Sequence, residues 1–244
     1  MMHTKHMEEL LNITGESLSS FLTRWYGDPD LPISANPEAV NMPRPLRFWH
    51  EVTSQWSTPV ATFNHPLSPS ELEIEDEKLV FWVENQGCWT WSTNIDGDDP
   101  IVFDRQPGSD PEPWTPTGET LSEFLLHATV FEAIIGAPNQ IHAENVTEEI
   151  LSRVIPDFRP LPLPHWRWPS ADVRILVGAS LLAQVSDSLI SVPNGTTRRF
   201  DVSVAAPAPE LLTSLANIVG VPWKHYTAIE PQESNWDDLP DFLR

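Results

Sequence analysis

Very little in this chain of 244 residues is cysteine, glycine or base. A single cysteine, Cys88, excludes any internal disulfide, so the fold must hold by packing alone. Ten glycines against 25 prolines mean few glycine-built loops and many stiff connections. The scarcity of glycine also excludes phosphate-binding loops, which need glycines ahead of a helix with a Lys or Arg; no such pattern is present. No Gly-x-Ser-x-Gly elbow occurs, and nothing around Cys88 resembles a cysteine nucleophile's surroundings. No apolar run approaches about 18 residues, and no apolar segment follows the first Met. The expectation is a protein with neither signal peptide nor membrane span, working in the cytoplasm.

Lys and Arg number 14 against 35 Asp and Glu, a formal net charge of -21. The acid is uneven. Residues 48–152 carry nineteen acids against Lys78 and Arg105 only, a net of -17. Residues 153–244 carry ten acids and eight bases. A field of that sign repels phosphate backbones, so nucleic acid is excluded as a direct ligand. It draws in a basic protein and speeds the encounter. Eleven tryptophans, against this polar background, argue for a real core, because that much apolar area is not left in water.

Apolar spacing places a helix through Leu18, Phe21, Leu22 and Trp25, ending at Gly27 and Pro29. A second helix carries Leu46, Trp49, Thr53 and Trp56, with Pro45 in its first turn. The stretch "ELEIEDEKLVFWV" begins as an alternating strand and continues as a run buried on both faces, Leu79 to Val83. "ENQG" interrupts it and "CWTW" resumes. "DGDDP" reads as a loop and "IVF" as a further strand. Thr120 and Glu123 have capping-box spacing ahead of a helix with Leu121, Phe124, Leu125, Ala128, Phe131 and Ile135 on one face. "NVTEEILSRVIP" predicts a short helix, and "PLPLPHWRWP" an extended connector. "DVRILVG", "SLLAQVSD", "LISV" and "RRFDVSVAA" predict antiparallel strands, with Asn194-Gly195 as a hairpin turn. "PELLTSLANIVG" predicts a last helix. The order predicts an α+β fold, with early strands pairing to late ones in one domain. The expected layout is a flexible N-terminus over 1–14, a domain over 15–225 and an acidic tail over 226–244.

Few residue groups offer chemistry. His3 and His6 have no third ligand for a metal. Asp96 and Asp98 match the start of a calcium loop, but Pro107 stands where its closing Glu belongs, so no metal is expected. The Asn-x-Thr triplets at Asn12, Asn145 and Asn194 read as chance matches. Paired carboxylates with Trp82, Trp89 and Trp91 leave a carbohydrate-binding or carbohydrate-cleaving protein as an alternative, provided those rings are exposed. Glu84, Asn85, Gln86 and Gly87 read as architecture: amides bonding backbone where a ladder breaks, and a glycine allowing close approach. Cys88 reads as a packed small residue.

The segment "LVFWVENQGCWTWSTNIDGDDPIVF" resembles the motif of the SUKH superfamily. An apolar strand meets Glu84–Gly87, a strand with Trp89 and Trp91 follows, then Asp99-Pro100 and a last strand. "TLSEFLLHATVFEAI" resembles that family's next helix, and "FDVSVAAPAPELLTSLANIV" its closing strand and helix. Ser92 departs from the pattern, where relatives often carry Gly. The resemblance implies a mostly antiparallel sheet flanked by helices, no catalysis and no cofactor. The family includes fungal cell-wall-assembly regulators and bacterial immunity proteins that neutralise nuclease toxins. A basic protein partner is therefore expected, with Asp96, Asp98, Asp99, Asp104, Asp110 and Glu112 as contacts and Trp114 as an aromatic anchor. A regulatory or scaffold domain in envelope or signalling assembly is the alternative role.

Overall fold

The computed structural model describes residues 7–33, 42–188 and 198–226. His3, His6, Asn194-Gly195, all of "LISV" and nearly all of the acidic tail lie outside them. In chain order the elements are α1 (Glu8–Leu11), α2 (Ser17–Tyr26), α3 (Arg44–Thr53), β1 (His65–Pro66), β2 (Glu73–Glu75), β3 (Lys78–Val83), β4 (Thr90–Thr93), β5 (Ile101–Arg105), β6 (Thr115–Thr120), α4 (Leu121–Ile135), β7 (Asn139–Thr147), α5 (Glu148–Val154), β8 (Arg159–Pro160), β9 (Arg174–Val177), β10 (Leu182–Asp187), β11 (Arg199–Ala206), α6 (Thr213–Ala216) and β12 (Lys224–Tyr226). The fold is α+β, and every strand pair is antiparallel.

The strands divide into two sheets, and the chain into two compact units. One sheet runs β1-β3-β4-β5-β6, with β2 also on β3. The other runs β12-β7-β11-β10-β9-β8. The expected pairing of early strands with late ones does not occur. β11, the strand that resembles a SUKH closing strand, pairs with β7 and β10 instead.

In the unit formed by residues 28–132, aromatic packing builds the core. Phe124 of α4 sits 5.3 Å from Phe81, 6.0 Å from Trp82 and 5.7 Å from Trp91, ring centre to ring centre. Trp49 of α3 meets Trp82 edge-on at 5.4 Å and donates its indole N–H to Thr129 Oγ1 at 2.9 Å. Such pairs add to an already large gain from burying the rings. Two neighbours on β3, Phe81 and Trp82, both reach Phe124. Strict alternation forbids that, and a register shift between Val80 and Trp82 resolves it. The bulge turns both aromatics to the helix side and leaves Val80 and Val83 on the other face. It also explains why Leu79–Val83 reads as a continuous apolar run.

The capping box opens α4 as expected: Thr120 N–H donates to Glu123 Oε2 at 2.9 Å, and Glu123 N–H to Thr120 Oγ1 at 3.4 Å. α4 is not the one-faced helix the spacing suggests. Every residue from Phe124 to Ile134 is buried. Its buried polar groups are tied: His127 Nδ1 lies 2.6 Å from Glu119 Oε1, and Glu132 accepts three backbone N–H groups from residues 62–64. A helix buried all round needs its polar side chains partnered in this way.

The second unit holds α1, α2 and the second sheet. Residues 7–11 are ordered by burial: Met7 and Leu10 are fully buried, and Glu9 pairs with Arg24. β7, which lies between β12 and β11, comes from a polar stretch in which only Ile141, Ala143 and Val146 are buried. Asn145, at φ 55°, donates its N–H to Asp201 at 2.8 Å beside the register shift at Phe200 and Val202. Thr147 caps α5 by accepting from Ile150 N–H at 3.2 Å. The predicted last helix is shorter: a 3₁₀ turn at Pro209–Leu212, then α6.

Candidate functional site

The Glu84–Gly87 turn joins β3 to β4. Glu84 N–H donates to Trp89 O at 2.9 Å, and Gly87 N–H returns to Glu84 O at 2.8 Å. Gly87 takes φ 68°, where a side chain is strained. The Glu84 carboxylate is buried, and Oε2 accepts from Gln86 N–H (2.9 Å), Cys88 N–H (3.2 Å) and Cys88 Sγ (3.0 Å). This carboxylate therefore replaces the missing ladder bonds. Asn85 contributes its backbone N–H, which donates to Asn64 Oδ1 at 3.3 Å. Asn64 N–H in turn donates to Glu132 Oε1 at 2.9 Å. The turn is thus moored to α4 through Asn64 and Glu132, two residues the sequence pattern did not single out.

Cys88 is exposed, which corrects the expectation of a packed thiol. Partial burial of its sulfur and the adjacent Glu84 carboxylate push the thiol up to about 11. At neutral pH it is a protonated, unreactive group. Trp82 and Trp91 are buried at 1% and 0% exposure, and Trp89 is half-buried. Trp82 and Trp91 cannot stack on a sugar, which removes the main support for carbohydrate recognition.

The expected contact residues do not form one patch. Asp96 and Asp98 are exposed on the β4–β5 loop. Asp99 is exposed but occupied: its carboxylate accepts from Ser122 N–H (2.9 Å) and Ser122 Oγ (2.6 Å), fixing the start of α4. Pro100 is buried, and its carbonyl accepts from Leu121 N–H at 2.8 Å. Asp104 cannot touch a partner, being 1% exposed. It lies opposite Trp91 in the ladder, and the pleat turns it to the helix side. Asp110 and Glu112 are exposed on the β5–β6 loop. Trp114 is half-buried, and its ring carries the Arg105 guanidinium at 4.0 Å. That stacking uses the ring internally rather than offering it as an anchor.

The two bases of this acidic region are both spent inside it. Arg105, 5% exposed, pairs with Glu75 and with Asp76 at 2.7 Å. Lys78 donates to Asn94 Oδ1 at 2.6 Å and sits 4.2 Å above Phe103. The carboxylates that hold Arg105 belong to a hairpin the sequence reading ran together as one strand. β2 and β3 are joined by a two-residue turn with Asp76 and Glu77 at φ 47° and 64°. No glycine marks it, so the usual signal was absent.

This hairpin rims a cleft of about 710 Å³ on the sheet face opposite the helices. Val83, Thr90 and Arg105, aligned across β3, β4 and β5, form part of its floor. Glu71, Glu73, Glu75 and Asp76 line one side, and Pro107, Gly108 and Pro111 are among its other lining residues. His65 also lines it, and burial holds its imidazole below the ordinary value. Among the described residues no three His, Cys, Asp or Glu side chains come together to hold a metal, and no helix is long and apolar enough to cross a membrane. No protein-family model, curated protein or solved structure matches the chain.

Proposed function

We infer that the chain is a non-catalytic, cytoplasmic binding protein of SUKH type, acting as an immunity protein that occludes the basic surface of a cognate toxin, of nuclease class. One observation carries this reading: residues 71–112 are rich in acid but hold only two bases, Lys78 and Arg105, and both face partners within that stretch. Asp96, Asp98 and Asp110, by contrast, stay exposed. A nuclease must present positive charge to bind phosphate, and such a surface meets its complement here. The Glu84–Gly87 turn between antiparallel strands, followed by a Trp-bearing strand and a buried helix, supports the SUKH resemblance over residues 79–135. The resemblance of residues 200–219 is set aside, because β11 belongs to the other sheet.

Occlusion would be steric and electrostatic. Each exposed pair contributes only about 0.2–1 kcal/mol, so affinity requires many at once, and the field acts mainly on association rate. The test is capture of a basic protein from lysate of the source organism at low and high salt, followed by assay of its nuclease activity with and without this chain. Inhibition that fades with salt is expected, and its loss when Asp96, Asp98, Asp110 and Glu112 are all changed to Lys. Capture and inhibition unchanged by that reversal would refute the reading.

A further inference from the structure

One rung of the second sheet brings a hydroxyl, an imidazole and a carboxylate together. The register sets Lys224 of β12 opposite His142 of β7, His142 opposite Ser203 of β11, and Ser203 opposite Gln184 of β10. Ile141, Ala143, Val202, Val204, Ala183 and Val185 belong to the core of this unit. Alternation along each strand therefore turns His142, Glu144, Ser203 and Gln184 to the other face. All four are half-buried, so solvent and a small solute reach them.

Ser203 Oγ lies 2.8 Å from His142 Nδ1. His142 Nε2 lies 3.4 Å from Glu144 Oε1, and Glu144 Oε2 accepts from Lys224 Nζ at 2.8 Å. That hydrogen bond and the charge of Lys224 hold Glu144 below the usual carboxylate range, so it is ionised at neutral pH. An anion beside Nε2 favours the neutral tautomer that carries its proton there, since a lone pair facing the carboxylate is repelled. Nδ1 is then the acceptor and the Ser203 hydroxyl its donor. A hydroxyl that donates to an imidazole, itself oriented by a carboxylate, is an activated nucleophile. The three groups stand on paired strands rather than on loops, which fixes their spacing. Gln184, across the ladder with its Cβ about 5 Å from that of Ser203, brings an amide N–H₂ to the oxygen that turns negative during attack.

We propose that Ser203 is an acylation site, its hydroxyl taking an acyl group from an activated ester with His142 as the base and Glu144 as a positioning residue. Ser203 Oγ attacks the carbonyl carbon and passes its proton to His142 Nδ1. The Oγ–C bond forms, the bond from carbon to the leaving oxygen breaks, and that oxygen departs with the electron pair. The imidazolium then returns its proton to solvent. The step takes up one acyl group per chain and needs no turnover, so it lies beyond the binding reading and does not conflict with it.

The experiment incubates the full chain with p-nitrophenyl acetate at neutral pH and follows acetylation by peptide mass spectrometry over time. Ser109, exposed on the β5–β6 loop, is the internal reference. Ser203 should be acetylated on the order of a hundred-fold faster than Ser109. His142→Gln should remove that advantage, and Glu144→Gln should reduce it. In both variants the rate at Ser109 should stay at its wild-type value, a split that simple loss of the fold would not give. Equal rates at Ser203 and Ser109 in the wild-type chain would overturn the proposal whatever the variants do. A Ser203 rate unchanged in His142→Gln would overturn it too, as would acetyl on Lys224 with none on Ser203.

Discussion

Glu132 sets two effects of similar size against each other. Its side chain is 1% exposed on α4, and burial raises its pKa from 4.5 to about 7. Opposing this, Oε2 accepts from Thr62 N–H at 2.9 Å and Phe63 N–H at 2.8 Å, and Oε1 from Asn64 N–H at 2.9 Å. Desolvation wins, so the folded chain holds this proton where the unfolded chain has released it. Stability from this group is present below pH 4.5 and is lost as pH rises through about 7. A shift from 4.5 to about 7 corresponds to about 3 kcal/mol. Glu132→Gln removes the titration. Its amide N–H₂ faces two backbone donors at a cost of about 1–3 kcal/mol each, but that cost does not change with pH. In urea unfolding followed by tryptophan fluorescence, the variant should therefore gain about 3 kcal/mol on the wild type between about pH 5 and about pH 8.5. Parallel stability curves would refute the reasoning. A gain by the wild type would show that the three N–H bonds outweigh burial.

Phe124→Ala removes the ring that Phe81, Trp82 and Trp91 share, and should cost about 3–5 kcal/mol in denaturant unfolding; a loss under about 1 kcal/mol would mean the site collapses to fill the gap. Cys88, though exposed, has its thiol raised from 9.0 to about 11, so iodoacetamide at about pH 8 should modify it on the order of a hundred-fold more slowly than a cysteine in a short peptide. Labelling at the peptide's rate would remove the Glu84 contact from the account.

Several elements were legible because their signals are local. The capping box at Thr120 and Glu123, the break at Glu84–Gly87, and the helices at Ser17–Tyr26 and Arg44–Thr53 all follow from neighbours in sequence. β7 was not legible, since its side chains are mostly polar and its burial comes from partners some 60 residues away. The β2–β3 turn was missed because Asp76 and Glu77 take positive φ without glycine. Among the contact residues, Asp104 carried a readable sign. Strict alternation along Ile101–Arg105 puts it on the side of Val102, which is fully buried, and Arg105 on the other.

Composition and short-range pattern determined that this chain is acidic through its middle, poor in reactive or phosphate-binding motifs, and built from both helices and strands. Those properties depend only on residue identity and on neighbours a few positions apart. Tertiary structure decided which acids remain available. Asp104 went inward with the pleat, Asp99 was taken by Ser122, Glu75 and Asp76 were given to Arg105, and Glu73 was left beside the cleft. Each outcome turns on a bulge, a register or an ion pair between distant strands. The charge of a carboxylate is written in the chain, but whether it faces a partner is set by what the fold places beside it.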